Sequence, residues 1–204
     1  MGTAELKPPG STRLNMTKRL IKRFVWLKSH LLKDHEYGLV ELGNEANWHT
    51  PFTSDPESII GGVDSLQRQD DPFNSLNSDS ILETLLQAQP ENPKTPESHS
   101  LRAIIIYGRS NVLPTVPSPE LLDKVRANPA ITIDCVYLHG LARDYGEMVQ
   151  EIYERLTEFE LREDMYSFEL SQRAPRYGIA MTQLVSHPAQ RVHQARAFPI
   201  VINQ

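Results

Sequence analysis

Three observations predict an α/β fold with a mainly parallel sheet covered on both sides. Two runs, Ala103 to Tyr107 and Ala130 to His139, are nearly continuous in apolar and β-branched residues, as in strands buried on both faces. Amphipathic segments of helical period stand between and around them. Strand and helix therefore alternate, the pattern of right-handed crossovers. The stretch Leu101 to Gly108 reads as a central strand. Ligands of such sheets gather beyond the carboxyl ends of the strands, which gives Gly108, Arg109, Ser110 and Asn111 the position of a site.

Residues 1–11 contain Pro8, Pro9 and Gly10 and read as loop. A helix is predicted from Thr12 to Lys33, with Leu20, Ile21, Phe24, Leu27, Leu31 and Leu32 on one face. Its other face carries Arg13, Lys18, Arg19, Lys22, Arg23, Lys28 and Lys33 with no acid among them; a solvated face accounts for them more simply than an acidic partner does. Trp26 lies off the apolar stripe. Tyr37 to Leu42 and Ala46 to Phe52 read as two strands joined at Gly43-Asn44. Ser54-Asp55-Pro56-Glu57 is a helix start, and the short helix after it should stop or fray at Gly61-Gly62.

A further helix is predicted from Ser78 to Gln89, and a projecting loop from Pro90 to Ser100. After the Leu101 strand come a Pro-rich crossing, a helix from Glu120 to Ala127 and the second buried strand. An acidic helix over Arg143 to Arg162 should turn Met148, Ile152, Leu156 and Phe159 inward. Its Glu147, Glu151, Glu154 and Glu158 then form a solvated face, since acid–base catalysis needs carboxylates held apart in a cleft. Tyr166 to Leu170 alternates like an edge strand, and a last helix runs from Tyr177 to Val185. The domain thus spans 12–186, followed by a tail over 187–204.

With 204 residues, 39% of them hydrophobic, the chain suffices for one full core. A net charge of -5 gives no overall attraction to nucleic acid or anionic membrane, and no apolar run reaches the ~20 residues of a membrane span. The single Cys135 lies in a buried strand and reads as a small core residue in a reducing, intracellular protein.

Motifs that carry chemistry are sparse. Gly61-Gly62 precedes Val63-Asp64, without the Lys-Ser/Thr of a phosphate loop. The histidines are scattered and make no zinc pair, so neither metal nor cofactor is expected. Gly108-Arg109-Ser110-Asn111-Val112 keeps one glycine of a nucleophile elbow and lacks the other. A hydrolase using Ser110 with His139 is the alternative enzymatic reading.

Several segments together resemble one family: Leu14 to Leu42, Thr53 to Glu57, Ile104 to Tyr107, Asp134 to His139 and Leu184 to Arg191. In order and spacing they are similar to the BRISC and BRCA-one-A complex member one (MERIT-forty) scaffold family. The resemblance implies a three-layer von Willebrand factor A-like (Rossmann-like) α/β domain that does no chemistry itself. It implies a place in deubiquitinase complexes whose zinc-dependent catalytic centre sits in another subunit, in the nucleus and the cytoplasm, with roles in ubiquitin signalling and the DNA-damage response. The implied partner is the BRE subunit, built from ubiquitin-conjugating-enzyme-variant domains that accept short Pro-containing peptides.

His187, Pro188, Gln190 and Arg191 are therefore the expected docking residues, Gln190 and Arg191 as exposed donors. Ala189 and Val192 depart from the family's Pro-Leu-Gln-Arg-Pro and weaken the apolar part of that contact. Gly108-Arg109-Ser110 has no acid, against metal-dependent adhesion. The chain also begins too late for the family's first central strand and acidic extension. That strand would lie between Leu101–Tyr107 and Tyr37–Leu42, and its absence predicts poor stability or dependence on another subunit.

Overall fold

The computed structural model describes residues 12–67, 73–88, 100–171, 174–187, 191 and 194. The expected loops over 1–11 and 90–99, the docking residues Pro188 and Gln190, and the tail past 194 lie outside them.

Helix α1 (Arg13–Leu31) starts at Thr12, whose side chain accepts a hydrogen bond from the Asn15 amide. It leads into an antiparallel hairpin of β1 (Tyr37–Leu42) and β2 (Ala46–Thr53), then into α2 (Pro56–Ser65) and α3 (Ser78–Gln87). Next come β3 (Leu101–Tyr107), α4 (Pro119–Ala127) and β4 (Ile131–Leu138). The chain continues through α5 (Ala142–Tyr145), α6 (Met148–Thr157), β5 (Ser167–Leu170) and α7 (Ala174–Val185). Strands β3, β4 and β5 form a parallel sheet in that order.

Period-two alternation sorts the sheet's side chains onto two faces. Ile131, Ile133, Cys135 and Tyr137 join Ile105 and Tyr107 in a core with residues of α3, α4 and α6. Val136 and Leu138 join Ile104 and Ile106 against α1 and α7. Three layers result. Cys135 is buried 3.6 Å from the Leu156 carbonyl, and burial pushes its thiol pKa up, so it packs as a small core residue.

Four expectations are corrected. Leu101–Tyr107 is an edge of the parallel sheet among the described residues; β4, buried at all eight positions, is the centre. On α1 the inward stripe is turned: Val25 and Lys28 are buried while Leu31 and Leu32 are 62% and 44% exposed. The acidic helix is two helices, broken at Gly146, whose φ of 59° is left-handed and open chiefly to glycine. Glu147, Glu151, Glu154 and Glu158 are exposed as expected.

The fourth correction concerns α2, which runs through Gly61-Gly62 without stopping. Gly62 faces the hairpin, where a Cβ would lie 2.6 Å from Thr50 Oγ1 and 3.4 Å from Leu39 Cδ2; at Gly61 nothing lies within 4 Å. Gly61→Ala should therefore stabilise the protein by about 0.5–1 kcal/mol through helix propensity. Gly62→Val should cost about 1–3 kcal/mol through overpacking. Urea unfolding of the two variants checks this, and equal shifts would refute the close approach.

Candidate functional site

Beyond the carboxyl ends of β3 and β4, Ser110 is fully buried, and its Oγ accepts hydrogen bonds from Arg13 Nη1 and the Gly140 amide, both at 2.8 Å. Arg13 also donates to the Leu138 carbonyl at 3.3 Å. The hydroxyl thus fastens the start of α1 to the end of β4. His139 Nδ1 lies 2.6 Å from the Gly140 carbonyl and Nε2 lies 3.3 Å from Glu169 Oε1, so both ring nitrogens face acceptors other than Ser110. Nucleophilic catalysis needs a base in hydrogen-bond reach of the hydroxyl, and this geometry does not bring the two together. Among the described residues, no group of three His, Cys, Asp or Glu gathers as metal ligands, and no helix is long and apolar enough to cross a membrane.

Arg109 leaves β3 and reaches the hairpin. Its guanidinium donates to the carbonyls of Ser75 at 3.1 Å and Gly43 at 2.7 Å, and to that of Leu42. It also sits over the Phe73 and Tyr107 rings, 4.9 and 5.5 Å from their centroids. The carboxyl ends of β1 and β3 therefore lie at one end of the molecule.

On the α1/α7 face of β4 one charge interrupts the apolar row. Asp134 has no exposed surface. Oδ1 accepts from Arg191 Nη1 at 2.6 Å and from the Tyr166 amide at 3.0 Å, and Oδ2 accepts from Arg102 Nε at 2.8 Å and Arg191 Nη2 at 3.1 Å. Arg191 further donates to the Asp164 carbonyl and stacks 4.5 Å from the centroid of Tyr166. Arg102 Nη1 donates to the Ser186 carbonyl at 3.3 Å. Burial pushes the Asp134 carboxyl up to about 6 against the pull of Arg102 and the Tyr166 amide, so at neutral pH the arginines hold a carboxylate.

The expected docking segment is thereby anchored at both flanks. Ser186 is tied through Arg102 and Arg191 directly to the same carboxylate. Arg191, read from sequence as an exposed donor, has a side chain only 1% exposed and is committed inward. His187 is exposed. Sequence reasoning missed Asp134, although an acid inside the apolar run Ile131-Thr132-Ile133-Asp134-Cys135-Val136 signals a buried ion pair, because an isolated charge there would be prohibitive.

No family model matches the chain. Curated relatives include BRISC and BRCA1-A complex member 1 of Xenopus laevis, 28% identical over 192 residues, which cover 90% of this chain and 58% of the relative. The human protein of the same name is 25% identical over 194 residues, covering 90% and 58%. The chain spans a little over half the length of the curated relatives it matches. Among solved structures, the SpRpn10 VWA domain is similar at a TM-score of 0.53 and 14% identity, covering 89% of this chain and 87% of that one. A conserved hypothetical protein, BatB from Bacteroides thetaiotaomicron, gives a TM-score of 0.54 at 15% identity, covering 86% and 88%. These likenesses establish a von Willebrand factor A-like α/β fold.

Proposed function

We propose that this chain is a non-catalytic scaffold subunit of BRISC- and BRCA1-A-type deubiquitinase complexes, serving ubiquitin signalling and the DNA-damage response in nucleus and cytoplasm. The observation that carries the reading is the similarity, along 90% of the chain, to proteins named as members of those complexes. The domain over 12–186 carries the fold, and the segment from His187 to Arg191 docks on the BRE subunit. The zinc-dependent chemistry belongs to another subunit. The strand ends agree with a scaffold: Ser110 is buried as a structural acceptor and His139 is turned to other partners.

The test follows from the anchored flanks. Deleting everything after Ser186 would remove Arg191 from Asp134 and confound docking with folding. Pro188→Ala with Gln190→Ala leaves Arg191 in place. Capture of co-expressed BRE subunit by the double variant should fall at least tenfold, with urea unfolding of the variant and the parent measured beside it to separate docking from folding. Undiminished capture would sink the docking role. Ser110→Ala should cost about 1–3 kcal/mol by stranding the buried Gly140 amide. A hydrolytic activity of the purified parent that this change abolishes would overturn the non-catalytic reading.

A further inference from the structure

Helix α1 divides by its 3.6-residue period into a packed and an outer face. Met16, Leu20 and Phe24 turn toward α7 and the parallel sheet, and Ile21 and Val25 toward α2 and the hairpin. The outer face runs through Asn15, Arg19, Arg23, Trp26 and His30, all exposed. The last four follow one another at i+4, i+3 and i+4, a straight stripe of about 16 Å along the axis.

The cations of this helix fall into two groups. Thr12 to Lys33 gathers seven of the chain's 21 Lys and Arg residues and no acid. Toward α2, Lys22 pairs with the Asp64 carboxylate at 2.8 Å and Lys18 donates to the Asp64 carbonyl at 2.9 Å. Arg19 and Arg23, on the outer stripe, have no hydrogen-bond or ion-pair partner among the described residues. Solvation alone accounts for two exposed arginines. It does not account for what stands beside them.

Trp26 is 52% exposed, one turn beyond Arg23. Its ring is held in place: His30 stacks on it with centroids 4.3 Å apart, and His30 Nδ1 lies 2.7 Å from the Trp26 carbonyl. An ordered aromatic pair in water beside two free guanidinium groups has the composition of interface centres, where aromatic residues and Arg concentrate. Because the pair is already fixed, little further ordering opposes a contact with it.

The sign of the partner follows from the rest of the molecule. The chain carries a net charge of -5 despite those seven cations. Glu147, Glu151, Glu154 and Glu158 are exposed on and beside α6, which packs on the opposite face of the sheet. An acidic segment is therefore drawn to α1 and repelled from the other layer. A nucleic acid would need many phosphates neutralised at once, and the stripe offers two free arginines in an acidic chain.

We propose that the outer face of α1 is a docking surface for a short acidic segment of another protein. Carboxylates of that segment accept hydrogen bonds from Arg19 and Arg23, and an apolar side chain about 10 Å further along packs on Trp26 and His30. The arginines supply association rate and orientation, and the aromatic pair supplies the desolvated centre. The surface lies on a different element from His187 to Arg191 and is a second contact beyond the tail.

Labelled, capped peptides of about twelve residues, with a Glu pair in one half and Leu-Phe in the other, are made in both orders and titrated into the full chain. Anisotropy gives Kd, and NMR follows the indole signals of Trp26 and Trp48. Control peptides carry Lys for Glu, or Ser-Gly for Leu-Phe. One acidic peptide should bind and shift the Trp26 indole while leaving that of Trp48. Either replacement should raise Kd at least tenfold, as should Arg19→Glu with Arg23→Glu, or Trp26→Ala. Arg126→Glu, on α4 across the sheet, should leave Kd within about twofold. Urea unfolding establishes that each variant is folded, and where the double reversal is not, Arg19→Gln with Arg23→Gln carries the same expectation.

Absence of binding in both orders, equal affinity of the Glu and Lys peptides, or a shift confined to Trp48 would overturn the proposal. So would tighter binding of single-stranded DNA or of phosphatidylserine vesicles than of the acidic peptide. Self-association of the free chain that Arg19→Glu with Arg23→Glu abolishes would assign the stripe to the acidic face of a second copy and would equally overturn it. Pro188→Ala with Gln190→Ala should leave peptide binding unchanged, so failure here and failure of tail docking are separate results.

Discussion

Replacing Asp134 by Asn should lower the unfolding free energy by about 3–5 kcal/mol, the cost of breaking a buried ion pair from one side. The amide matches the carboxylate in size, so no cavity opens. What changes is charge. Arg191, 1% exposed, and Arg102, 14% exposed, are left facing each other across a neutral group. Against a total of roughly 5–15 kcal/mol for a domain, a loss of that size is a large fraction of the fold's stability. The change also cuts the shared link by which Ser186 and Arg191 are held, so on the proposed docking role BRE capture should fall together with stability. A cycle separates the two. Arg191→Met combined with Asp134→Leu should cost less than the sum of the single changes, because the double variant leaves fewer uncompensated charges. Urea unfolding of the four proteins decides, and strict additivity would mean that the pair is not coupled.

The contrast between Asp134 and Arg191 shows where the sequence was legible. Element order was readable because apolar period is local: Ile81, Leu82 and Leu85 of α3, or Val149, Ile152 and Leu156 of α6, lie on one face by spacing alone. Local signals gave less where an element meets something distant. Lys28 and Val25 are buried because α1 is turned against β1 and α2, which no count along α1 reveals. Gly62 continues a helix because a side chain there would strike the hairpin, and Gly146 breaks one because a single residue turns left-handed.

The direction of Arg191 depends on a carboxylate 57 residues earlier, and the neighbouring sequence Pro188-Ala189-Gln190 carries no signal of it. The strand end was likewise half legible. Gly108-Arg109-Ser110 was readable as a place without catalytic groups, while the use of its guanidinium as a bridge required the hairpin to be placed.

Arg109 should be the second most costly position to change, because the two sheets share no ladder among the described residues and its guanidinium spans from one to the other. Five donors in a planar fork let it serve the Ser75, Gly43 and Leu42 carbonyls together while its flat face covers Phe73. Arg109→Ala should cost about 2–3 kcal/mol, the scale of losing a charged hydrogen-bond donor with its stacking contact. Lysine would restore charge yet reach at most part of this set, so Arg109→Lys should recover less than half.

The loss should also be uneven. Amides of the β1–β2 hairpin should exchange faster at denaturant concentrations where β4, buried at every position, remains protected. A uniform rise in exchange, or a lysine variant as stable as the parent, would show that the guanidinium is not the bridge.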